Sequence, residues 1–147
     1  MYNFKRLSLK DICPCFNKQS LTKKDEKIGD GLFKKMKTME NFFENAKIYS
    51  MANSVEYDDG AVVSKIIRKN DAGNITLFAF DKEQVLSEHT APFDAMIVIL
   101  DGTAIVTIDK KPFEMNTGDM IIMPANIPHA VNAKEKFKMM LVMLKNQ

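Results

Sequence analysis

The chain has 147 residues, 46% of them apolar and 27% charged, with a net charge of +2. That is enough for one barrel-sized core and too little for two such domains with a linker, and the balance excludes a chain disordered throughout. The longest apolar run, Ala95–Leu100, falls far short of the ~20 residues that cross a bilayer as a helix, so no membrane partner is expected.

In chain order, residues 1–38 carry ten Lys/Arg against four Asp/Glu, and residues 39–147 carry eleven against fifteen. The first part is a basic extension. It has no regular apolar face and no dense block of charge, so it reads as a solvated, flexible segment rather than a nucleic-acid-binding arm. Lys and Asp interrupt it too often for a secretory signal, which predicts a cytoplasmic protein. Cys13 and Cys15 lack the second ligand pair of a zinc knuckle and read as reduced thiols, with a soft metal or a regulatory disulfide as the sharper alternative. Met39 is a candidate start for the functional unit, a β-barrel domain over residues 39–147.

Phe42, Phe43, Ala46 and Tyr49 recur at roughly helical spacing, which predicts a short N-terminal helix or a capping turn against the barrel. Strands then follow at Ala61–Lys69, Asn74–Phe80, Gln84–His89, Ala95–Leu100, Thr103–Asp109, Pro112–Met115, Asp119–Met123, His129–Ala133 and Phe137–Leu144. Turn formers separate them, among them Asp58-Asp59-Gly60, Asp101-Gly102 and Asn116-Thr117-Gly118. Nine short strands and no long helix predict an all-β barrel or jelly roll.

Thr103, Ile105 and Thr107 alternate with Ala104, Val106 and Ile108, as on a strand with one wet face. Ala95–Leu100 and Met139–Leu144 are apolar on both parities. A small barrel covers only their inner faces, so the outer ones call for the N-terminal segment or a second copy, and a homodimer is the preferred expectation.

Two segments resemble the motifs of the cupin superfamily. The first runs from His89 through Ala91 and Ala95 to Gly102, and the second comprises Gly118, Pro124, Asn126, His129 and Asn132, with Asn126 where the family has Gly. The resemblance implies a single cupin-like barrel, of the double-stranded β-helix or jelly-roll kind, in which three histidines and a glutamate converge on a divalent metal such as iron, manganese, nickel or zinc. Matched residue by residue, His89 and His129 fall on ligand positions. Ala91 and Ala95 fall on the other two and offer no donor.

Two functions remain open from the sequence. One is a small molecule held in the barrel between His89 and His129, with Ala91 leaving room and Met123, Met139, Phe78 and Phe80 as candidate walls. The other is a metal-dependent enzyme of dioxygenase, isomerase or decarboxylase type, in which Asp94 joins His89 and His129 as a substitute carboxylate. Asp94 and Glu88 sit next to vacant or occupied ligand positions, and each needs a β-bulge to turn inward. A third possibility is a cavity filled by its own side chains. The two imidazoles are expected to face each other across the hollow of the barrel.

Overall fold

The computed structural model describes residues 43–145. The basic extension, Cys13, Cys15, Met39 and Phe42 lie outside that range. Among the described residues eight strands make up the fold: β1 (Val62–Asn70), β2 (Gly73–Phe80), β3 (Val85–His89), β4 (Ala95–Ile108), β5 (Lys111–Asn116), β6 (Met120–Met123), β7 (His129–Asn132) and β8 (Phe137–Leu144). All pairings are antiparallel, in the order β1-β2-β8-β4-β7-β3, with β5 and β6 each on β4.

The fifteen-odd apolar side chains between the two halves of this curled sheet form the core. Phe80 stacks on Phe137 with ring centroids 4.6 Å apart, and Phe78 lies tilted against Phe80. Both Phe78 and Phe80 are buried in this core rather than in a pocket wall. Burial of each such ring stabilises by about 2–3 kcal/mol.

Eight strands replace the expected nine because Ala95–Leu100 and Thr103–Asp109 are one element. Ile99 pairs with Met139 and Asp101 with Lys138, so one extra residue, Leu100, is accommodated as a bulge in β4. The bulge reverses the inward parity: Ala95, Ile97 and Ile99 are buried before it, Ala104 and Val106 after it. The strand bends there and passes from β6 and β8 on one sheet to β5 and β7 on the other. Gly102 sits at the bend with φ of +77°, a value L side chains rarely adopt.

Turns close as their sequences dictate. The Asn70 side chain accepts from the amides of Ala72 and Gly73 and folds the β1–β2 hairpin. Asp109 and Lys110 take φ of +48° and +65°, the left-handed pair of a two-residue hairpin, between β4 and β5.

Residues 43–49 form turns and extended chain with no helix, so the capping-turn alternative describes this segment. The short helical period of Phe43 and Tyr49 instead closes an edge-to-face contact at 5.0 Å between the two rings. Residues 43–57 lie on the outside of the sheet, where Phe43 and Val55 are buried against Leu77 and Ala79. Two lysines fasten this strap: Lys138 donates to the Ala52 carbonyl at 2.7 Å and Lys65 to that of Ser54 at 2.7 Å. The strap covers only part of the outer face. Met120 and Ile122 of β6 remain 55% exposed, beside Met96, Val98 and Val142 in register on β4 and β8.

Candidate functional site

The site begins with a register irregularity in β3. Leu86 pairs with Val131 and His89 with His129, so three steps along β3 match two along β7 and one extra residue bulges at Ser87-Glu88. On a regular strand Leu86 and His89 would face opposite ways. The bulge puts both on the inner side.

His129 sits at the start of β7, directly opposite His89 and with Ile108 of β4 on its other side. The two imidazole rings meet edge to face with centroids 4.6 Å apart. They are neighbours on one wall of the barrel, not partners facing across its hollow as the sequence suggested. Cross-strand pairing, rather than convergence from opposite sheets, brings them together.

Each ring is oriented in the same manner. Nδ1 of His89 lies 2.7 Å from the Ser87 carbonyl, and Nδ1 of His129 lies 2.8 Å from the Ile127 carbonyl. A carbonyl only accepts, so each neutral ring carries its proton on Nδ1 and donates it there. Nε2 of each is left as a lone-pair acceptor. His129 is 3% exposed, and burial holds it below the ordinary imidazole range, assisted by His89 alongside and opposed by the bond to Ile127. It is a neutral base at pH 7.

Below the pair opens a cavity of about 90 Å³. Ala91, Ala95, Met123, Met139, Leu141 and Met143 form its apolar walls, and Ser87, Glu88, His89 and His129 supply the polar groups. Ala95 has Met123 of β6 as partner on one side and Met143 of β8 on the other, so two thioether side chains flank the small alanine on the inner face. Leu141 and Met143 were not singled out in the sequence. The period-two run from Met139 through Leu141 to Met143 was the signal that could have found them.

Asp94 is elsewhere. It lies on the exposed corner before β4, and its carboxylate accepts the Ala125 amide at 2.9 Å, which ties that corner to the loop after β6. The expected triad of His89, His129 and Asp94 is therefore not assembled. Among the described residues, no three His, Cys, Asp or Glu side chains are gathered so as to hold a metal ion. Glu88, an exposed residue of the bulge, borders the cavity without completing such a group.

The second motif holds the mouth in shape. Asn126 adopts φ of +62°, the left-handed conformation that Asn tolerates better than other side-chain-bearing residues. Its amide donates to the Ala91 carbonyl at 2.7 Å and pins the loop that follows β3.

The cupin domain model matches residues 76–145, which include β8, β4 and both histidines. A conserved protein of unknown function from Streptococcus pyogenes is similar in crystal structure, with 37% identity over 71% of this chain and 92% of its own, and a TM-score of 0.69. A cupin superfamily protein from Desulfitobacterium hafniense is 27% identical over 71% of this chain and 95% of its own, with a TM-score of 0.67. A cupin 2 conserved barrel domain protein from Leptotrichia buccalis is 41% identical over 64% of this chain and 46% of its own, with a TM-score of 0.62. No functionally curated protein matches. With the motif residues brought together on this curled antiparallel sheet, and with these relatives, residues 76–145 are a cupin domain.

Proposed function

We propose that this protein binds one small, largely apolar molecule in the barrel and anchors the molecule's hydrogen-bond donor on His89 and His129. The observation that carries the reading is that both histidines, each with Nδ1 held to a carbonyl, line an otherwise apolar cavity. Apolar walls supply binding energy with little direction, and two acceptors with fixed tautomers supply orientation. An apolar cavity of ~150 Å³ takes up benzene. By that scale the 90 Å³ here encloses about four non-hydrogen atoms, with the rest of the ligand reaching past the histidines.

The polarity of the anchor selects the ligand class. A neutral imidazole whose Nδ1–H is already committed, as at His129, accepts through Nε2 from a hydroxyl or an amine and offers nothing to a carboxylate. A panel of short alcohols and amines, matched with alkanes and carboxylates of equal size, tests this by thermal shift and by ¹⁵N chemical shifts of the ring nitrogens. Alcohols or amines that raise Tm and move the Nε2 resonances support it, and saturation at 100 times Kd adds about 2.7 kcal/mol. If no member of the panel moves Tm or the ring resonances, the reading fails.

The enzyme alternative, with a divalent metal on His89, His129 and Asp94, is not favoured. Of the four family ligand positions, those matched by Ala91 and Ala95 carry no donor, and the Asp94 carboxylate is engaged with Ala125. Divalent iron, manganese, nickel or zinc wants more imidazole and carboxylate than these residues hold.

A homodimer completes the proposal. What supports it is the apolar outer face of β4, β6 and β8, where Met96, Val98, Met120, Ile122 and Val142 lie together beyond the reach of the 43–57 strap. A monomeric protein rarely leaves such a contiguous patch to water.

A further inference from the structure

We infer that the cavity is also a site for a soft monovalent metal ion, Cu(I), held by the two imidazoles and by the thioethers of Met123 and Met143. This goes beyond the organic ligand proposed above. It rests with that reading on the same cavity and the same two imidazoles, and adds the thioethers.

The argument starts from the histidines. A ring that binds metal through one nitrogen almost always donates its other N–H to a carbonyl or carboxylate, which fixes the tautomer and aims the lone pair. His89 and His129 both show that arrangement, at 2.7 and 2.8 Å, each to the carbonyl two residues earlier. Their rings are already adjacent, 4.6 Å apart.

The rest of the donor set is sulfur. Ala95 stands where the resemblance puts a carboxylate, and its two cross-strand partners are Met123 and Met143. Both methionines are buried, at 3% and 6% exposure, and both line the cavity that the histidines line. Hard divalent ions gain little from such neighbours, whereas thioether and imidazole donors suit Cu(I). A monovalent ion with few ligands also costs less to bring into an apolar site than a divalent one.

The test uses the full chain carrying Cys13→Ser and Cys15→Ser, which removes both thiols of the sequence, Cys-Pro-Cys. Cu(I) held by bicinchoninate is titrated without oxygen, and X-ray absorption identifies the scattering atoms. The expected result is one equivalent of Cu(I) withdrawn from the chelator, with nitrogen and sulfur both bound. Met123→Leu with Met143→Leu preserves side-chain volume and therefore the fold. It should weaken Cu(I) at least ~10-fold, the scale seen even for outer-sphere changes at metal sites. Cu(I) remaining on the chelator, a spectrum without sulfur, or equal affinity in the double leucine variant would each overturn the inference. Cu(I) titration and the response of the Cys-to-Ser chain with both methionines intact to alcohols and amines are read independently, so failure here and failure of the organic-ligand reading are separate outcomes.

Discussion

His89 and His129 are direct cross-strand partners, opposite one another in the β3–β7 ladder with their rings in edge-to-face contact. That placement depends on the Ser87-Glu88 bulge, since a regular β3 would send His89 out of the barrel. The pair therefore acts as one unit, and a proton on one ring opposes a proton on the other.

The pH dependence of stability follows from His129. Its folded value is lowered, so between that value and the ordinary 6.5 the unfolded chain binds more protons than the native one, and stability rises with pH. The contribution is complete above 6.5 and is lost as the pH falls from there to the lowered native value. Urea unfolding from pH 7.5 to 4.5 should show the wild-type protein losing more stability over this window than His129→Gln. Parallel curves for the two proteins would refute the assignment.

Asp94→Ala should leave ligand and metal binding as they are and destabilise by about 1 kcal/mol, the scale of one charge-assisted bond to an amide. The reason is that its carboxylate ties the Ala125 amide and contributes nothing to the cavity. Titration calorimetry beside thermal unfolding separates the two effects. A loss of bound metal in this variant would restore the carboxylate to the site.

Gly102→Val should destabilise by about 3 kcal/mol. Backbone at φ of +77° strains any β-branched residue, and a Cβ there would run into the Lys136 carbonyl and lie 3.0 Å from Cα of Phe137. Both obstacles are main chain and cannot swing aside. An unchanged urea midpoint would show that the bend in β4 does not need glycine.

Ile122→Asp tests the outer face. The side chain is 55% exposed, so the substitution should cost the isolated barrel under about 0.5 kcal/mol, while a charge in the centre of an apolar dimer contact should dissociate it. Sedimentation velocity at micromolar concentration is expected to give a dimer for the wild-type protein and a monomer for the variant. A wild-type monomer would remove the homodimer from the reading.

Strand content, turn positions and the likeness of residues 89–132 to the cupin motifs were legible in the chain because they depend on local chemistry. Alternating apolar residues, Asn70-Asp71-Ala72-Gly73 and Gly102 each carry their conformation within a few positions. What local pattern could not convey was parity across a bulge. Leu100 turns two apparent strands into one that spans both sheets, and Ser87-Glu88 turns His89 inward beside His129. A bulge is stabilised by the partner strand it mispairs with, so it leaves no mark in the sequence that bears it. The fate of Asp94 was hidden for the same reason, because its amide partner is 31 residues away. Composition and spacing thus determined a small β-barrel with two histidines near one opening. Only long-range strand register decided that those histidines share a wall, and that methionines rather than carboxylates stand around them.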